Sequence, residues 1–345
     1  MLWSKSLIIM AIVLVIGFLC VRVMMPYFRK LKTGKFDLYI GSRFEADGSE
    51  PLFGGAVMLL PLLVGTALAM GTVNVQNDGL GENIGAEYLS VSIFAVFLML
   101  LGAVEDYLKD VRKANVGLKY GTKILAEFLL CLAFLLSLKA FCHDGTTEIL
   151  LPFRLGYINF GWTYYPLLAL GMTITINAVK VHDCFGRNTK SSVGGLCTLS
   201  VMIYSLFFAA YGAVTGNDYL NVFAYVFSAV CGGFLIWNIS PAKIHLGQSG
   251  SLLLGGIAAG LAVVSKLHIC VLLAGISFFI DGFCSLLEFI VYKKSKKLIF
   301  KGESLHGHFL AKGYSDYKIM IIFSGLTIIG GAAGVAFAVY STKLM

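Results

Sequence analysis

Ten stretches of mostly apolar residues, each close to the length of a bilayer-crossing helix, dominate this chain of 345 residues. They run at approximately 6–25, 53–71, 88–104, 122–138, 163–179, 194–213, 221–238, 250–265, 267–291 and 318–341, with polar connections between them. Crossing a bilayer takes roughly 20 predominantly apolar residues, and lipid offers no partner to an open backbone group, so this pattern folds as helices. Composition agrees: 58% of residues are hydrophobic and 13% charged, and the mean hydropathy is +0.83. A pair of water-soluble domains is excluded. Glycine is frequent (39) and proline scarce (6), which suits closely packed helices and argues against a barrel of short alternating strands. The expected fold is an all-α polytopic membrane protein of about ten transmembrane helices, built as one integral membrane domain over residues 1–345.

Lysine and arginine set the expected orientation. If the first helix enters from outside, only Lys5, Lys139, Arg154, Lys266 and Lys343 of the 27 basic residues lie on the outer side. The rest gather on the inner connections, so both termini are expected outside and five loops in the cytoplasm. The net charge of +8 then reads as topology and attraction to anionic headgroups, with no need for nucleic acid. Lys5 before an apolar run resembles a signal sequence. The absence of a small-residue cleavage site and the basic loop that follows favour a first span instead. Of eight cysteines, six lie inside apolar stretches and none forms a CxxC pair, so neither a zinc site nor a disulfide framework is expected.

Polar residues where spans meet the inner face carry the chemical information, because they are costly there and usually serve a site. The third stretch ends in Glu105-Asp106-Tyr107-Leu108-Lys109, followed by Gly117, Leu118 and Lys123. Carboxylates at a helix end beside lysines suit a metal, a proton or phosphate oxygens. A solvated loop closing a span would read the same, and Lys123 with Glu127 has the i, i+4 spacing of an ordinary surface pair. The fifth stretch leads into Asn177, Lys180, His182 and Asp183. Asp183 is the more interesting residue there, and His182 reads as a surface histidine. Asn238, Pro241, Ala242, Lys243, His245, Gly247, Gln248, Gly250 and Ser251 follow the seventh stretch, where glycines and a helix start could approach an anion. The last inner loop holds lysines 293 to 301 and then His306-Gly307-His308-Phe309, a headgroup-binding segment or a phosphate or metal site. Asp281 and Glu288 lie i, i+7 on one face of the ninth stretch, the feature a transporter would need.

Together and in order, these segments resemble the polyprenyl-phosphate N-acetylhexosamine-1-phosphate transferase superfamily, most closely its phospho-N-acetylmuramoyl-pentapeptide transferase branch. Its Asp-Asp-x-x-Lys motif matches Glu105 to Lys109, its Asn-x-x-Pro-Ala-Lys...Gly-Asp-x-Gly-Ser motif matches Asn238 to Ser251, and its triple-His-Phe signature matches His306 to Phe309. The likeness covers nearly the whole chain. It implies ten helices with both termini outside, a bacterial cytoplasmic membrane, and transfer of a phospho-sugar from a UDP-sugar to undecaprenyl phosphate with Mg²⁺ and release of UMP, in peptidoglycan or other cell-wall glycan synthesis. It also leaves room for a homodimer. By resemblance, Glu105, Asp106 and Asp183 are catalytic, Asp183 and Gln248 hold the metal, and Lys109, Lys123, Asn177, Asn238, His245, His306 and His308 bind substrates.

The departures fall on the chemistry. Glu105 replaces an Asp, Gln248 a metal-binding Asp, Lys180 an Asn, Gly186 an Asp, Asp47 a Lys, and Gly307 the central His. Two readings follow: a divergent phosphoglycosyl transferase, or a catalytically impaired protein of the same fold that binds lipid carrier, nucleotide or a membrane partner.

Overall fold

The computed structural model describes residues 2–30, 35–36, 43–44, 53–74, 84–108, 120–142, 147–150, 156–183, 193–302 and 304–342. Twelve helices account for nearly all of them: α1 (Leu2–Lys30), α2 (Gly54–Asn74), α3 (Ile84–Asp106), α4 (Tyr120–Phe141), α5 (Tyr164–His182), α6 (Leu196–Thr215), α7 (Asp218–Asn238), α8 (Gly247–Val264), α9 (Cys270–Ala274), α10 (Ile276–Ser295), α11 (Leu305–Ala311) and α12 (Asp316–Thr342). Two small antiparallel pairs complete the fold, β1 (Lys35–Phe36) with β2 (Arg43–Phe44), and β3 (Glu148–Leu150) with β4 (Tyr157–Asn159).

Among the described residues, eight helices are long and apolar enough to cross a membrane: α1, α2, α3, α4, α6, α7, α8 and α12. The remaining two expected spans fall on α5 and on α9 with α10. The ninth stretch is broken at Gly275, where an added Cβ would run into the Phe278 ring. α5 carries Asn177 and Lys180, and α10 carries Asp281 and Glu288. These polar residues, which lower the apolar character of both helices, face protein rather than lipid.

α8 is the hub. Nearly every residue from Ser249 to Val264 is buried, because α2, α3, α5 and α6 all pack against it. Glycines permit this closeness: a Cβ on Gly255 would lie 3.0 Å from the Ile176 Cα, and one on Gly256 3.1 Å from the Ala95 Cα. Without a hydrophobic drive between helices in lipid, such close backbone packing is a main source of association. α1 and α4 lie at the rim, with Leu7, Ile8, Val15, Leu125 and Leu129 exposed, as residues facing acyl chains must be. Some polar side chains inside the bundle pair across helices, Ser6 with Asn221 at 3.1 Å and Thr66 with Ser92 at 2.9 Å.

Candidate functional site

The end of α3, the first turn of α4 and the first turn of α8 meet at one point. Asp106 accepts two backbone N–H groups there, from Gln248 to Oδ1 at 3.0 Å and from Ser249 to Oδ2 at 2.9 Å. A helix start leaves such N–H groups open and carries partial positive charge, so a carboxylate from another helix is well suited to cap it. Two glycines make the approach possible. A Cβ on Gly102 would collide with the backbone of Gln248, and one on Gly55 would lie 2.5 Å from the Ser249 carbonyl carbon.

Beside this cap, the Lys123 ammonium pairs with Glu105 and donates to Gln248 Oε1 at 2.6 Å. Glu105, Asp106 and Lys123 are all buried. Lys123 and Glu127 are therefore not a surface pair: Glu127 is buried too and turns to α5. Its Oε2 accepts from Asn177 Nδ2 at 2.5 Å, the Lys180 ammonium lies 3.6 Å from Oε1, and Lys180 donates to Asn177 Oδ1 at 2.6 Å. Two lysines thus each hold a glutamate from another helix, Lys123 of α4 that of α3 and Lys180 of α5 that of α4.

A third network links α5, α6, α10 and α11. Asp281, with no exposed surface, accepts from His182 Nδ1 at 2.8 Å, His306 Nδ1 at 2.5 Å and the His306 backbone N–H at 3.1 Å. The Ser200 hydroxyl lies 3.1 Å from His182 Nε2. His182 is consequently a buried residue, against the expectation of a surface one, since only a partner at either ring nitrogen makes that burial affordable. Glu288 accepts the backbone N–H groups of Ile299 and Phe300 at 3.0 and 3.1 Å. Both acids of the ninth stretch therefore anchor the segment that follows α10.

The other expected site residues are placed as follows. Asp183 ends α5, half-buried, with its N–H bonded to the Lys180 carbonyl at 3.2 Å. Asn238 accepts from Thr198 Oγ1 at 2.8 Å and donates to the Ile244 carbonyl at 2.9 Å, stapling the loop that leads into α8. His245 is buried in that loop, and its carbonyl accepts from Gly54 N–H at 3.2 Å. His306 is turned inward to Asp281. His308 is half-buried, and its Nδ1 accepts from the Lys301 N–H at 3.0 Å, which puts the ring proton on Nε2. Partial burial, with Lys312 and Lys301 nearby, holds its pKa below the usual histidine value. Lys109, Asp47 and Gly186 lie outside the described residues.

Gln248 is poorly placed for the divalent ion that the resemblance implies. Its only side-chain oxygen already faces an ammonium. A doubly charged ion about 4 Å from that ammonium would be repelled by up to about 8 kcal/mol at the effective dielectric of a protein surface. Asp281, His182 and His306 bring ligand atoms within 4.8 Å of one another, but both imidazoles point at one carboxylate oxygen at hydrogen-bonding distance, the geometry of shared protons.

Sequence reading missed the roles of Glu127, Ser200 and Ser304, the last capping α11 through Gly307 N–H at 3.2 Å. The available signal was the buried-charge rule: Glu127 sits in the middle of an apolar stretch and needs a partner.

Residues 88–266 match the model of glycosyl transferase family 4. Three relatives are each a phospho-N-acetylmuramoyl-pentapeptide-transferase. The one from Caldicellulosiruptor bescii is 30% identical over 321 residues, covering 92% of this chain and 93% of the relative. Those from Carboxydothermus hydrogenoformans and Shouchella clausii are 31% and 28% identical, covering 89% and 96% of this chain and 91% and 98% of the relatives. The chain belongs to this family of membrane phosphoglycosyl transferases.

Proposed function

We propose that the protein transfers a phospho-sugar from a UDP-sugar to undecaprenyl phosphate on the inner face of a bacterial cytoplasmic membrane, in cell-wall or envelope glycan synthesis. In this reading ten helical segments cross the bilayer, both termini lie outside, and α5 and α10 count as spans because their polar residues are paired within the bundle. An oxygen of the lipid phosphate attacks the sugar-bearing phosphorus. The new P–O–P bond joins lipid to phospho-sugar as the bond to UMP breaks and UMP leaves.

The observation that carries this reading is the meeting of Glu105, Asp106, Lys123 and Gln248, from three helices, at the start of α8. A phosphoryl transfer needs its charged oxygens positioned and neutralised, and little other covalent help. Lys123 supplies a positive charge held on the chain, and His308 a ring N–H. Asp106 orients the α8 turn, while Glu105 and Asp183 are the carboxylates beside the lipid phosphate. Lys109, Asn177, Asn238, His245 and His306 complete the binding region, the last three by shaping its loops. If Mg²⁺ takes part, Asp183 would be the residue to hold it, and the ion would offset the charge of the pyrophosphate.

Purified protein in detergent, given undecaprenyl phosphate, Mg²⁺ and a panel of UDP-sugars, should release UMP well above an Asp183→Ala control. No release for any sugar defeats the reading. The second reading, a binder without turnover, draws on Asp106 and Lys123 being engaged by protein groups. Asp47→Lys, Glu105→Asp and Gln248→Asp combined should then create turnover absent from the parent.

A further inference from the structure

We propose that the Lys123 ammonium is the resident cation of this site, standing at the Glu105 and Gln248 oxygens where a divalent ion would otherwise bind. The inference rests on the phosphoglycosyl transferase reading for its site, and concerns how that site carries positive charge.

Three observations lead there. First, the ammonium touches side-chain oxygens from two helices, Glu105 at the end of α3 and Gln248 at the start of α8. Oxygens from separate elements converging on one positive centre is how a protein builds a place for a hard cation. Second, among the described residues both carboxylates of this site already have partners. Asp106 is spent on the two N–H groups of Gln248 and Ser249, Glu105 is neutralised by Lys123, and the amide of Gln248 brings no charge. Third, Lys123 is buried, and Gly102 lets α3 lie directly against the Gln248 backbone beside it.

An amide at position 248 is what such an arrangement calls for. A carboxylate there would add a second negative charge facing the ammonium and would draw a divalent ion into competition with it. An amide accepts the lysine hydrogen bond and offers a divalent ion too little charge. Substrate phosphates approaching the start of α8 then compete with Glu105 and Gln248 for a compact point charge fixed to the chain.

Metal binding tests this without requiring turnover, so its outcome is separate from that of the UMP-release assay. Mn²⁺ is titrated into the full-length protein in detergent, and free Mn²⁺ is read by electron paramagnetic resonance for the parent, Gln248→Ala and the double variant Lys123→Met with Gln248→Asp. The parent and Gln248→Ala curves should superimpose, and the double variant should gain one saturable equivalent. Weakening of parental Mn²⁺ binding by Gln248→Ala of about tenfold or more, the loss expected on removing a ligand or its support, overturns the proposal. So does a double variant that retains a cooperative unfolding transition yet gains no site. If the double variant does not fold, the comparison of parent with Gln248→Ala decides alone.

Discussion

The Lys123 ammonium donates to the Gln248 side-chain oxygen at 2.6 Å, joining α4 to α8 across 125 residues of sequence. Glu105 completes the contact from α3. Removing the lysine strands a buried carboxylate. Lys123→Met should therefore destabilise the protein by about 3–5 kcal/mol, whereas Lys123→Met with Glu105→Gln should recover much of that loss. Thermal unfolding in detergent of the two singles and the double gives the coupling directly. Additive effects would show that the pair contributes nothing.

Asp106 is the only side chain seen bonding the first N–H groups of α8 among the described residues. Asp106→Ala should cost about 0.5–2 kcal/mol, the usual loss of a helix cap. Hydrogen exchange should quicken at residues 248–250 while the middle of α8 stays protected. Uniform change along α8 would rule out the capping role.

Asp281 ties the end of α5 to α11, holding His182 and His306 at once. Asp281→Ala leaves both rings buried without their acceptor, so exchange should rise over both 179–183 and 304–311. His182→Ala breaks only one arm. It should loosen the first segment and largely spare the second.

His308 accepts a hydrogen bond only while neutral. Its folded pKa is lowered, so the unfolded chain takes up a proton first as pH falls. The contact with Lys301 contributes fully above the ordinary histidine value of about 6.5 and is lost progressively below it. Between pH 7.5 and 5.5 (on the order of the histidine titration range), the parent should lose more thermal stability than His308→Gln. Equal losses would sever the link to this ring.

Much of the fold is legible in the chain because lipid is an exacting solvent. Apolar length alone identifies α1 to α4, α6 to α8 and α12, and the motif segments at Glu105–Asp106, Lys123 and Asn238 fall at helix ends as anticipated, whereas Gln248 and His306, expected in loops, lie in the first turns of α8 and α11. The ninth stretch was less transparent, since a single Gly275 splits it and no apolar count registers a break of one residue.

Residue type and order, read by themselves, determined a helical membrane protein of the phosphoglycosyl transferase family with its polar residues gathered at span ends. Only the tertiary structure decided which of those residues face one another. Lys123 and Glu127 share an i, i+4 spacing yet hold different partners, and Asp281 reaches back 99 residues to His182. The reason is physical: hydropathy is a property of one segment against lipid, whereas a buried charge is stabilised by whichever oxygen or nitrogen another helix brings within about 3 Å of it.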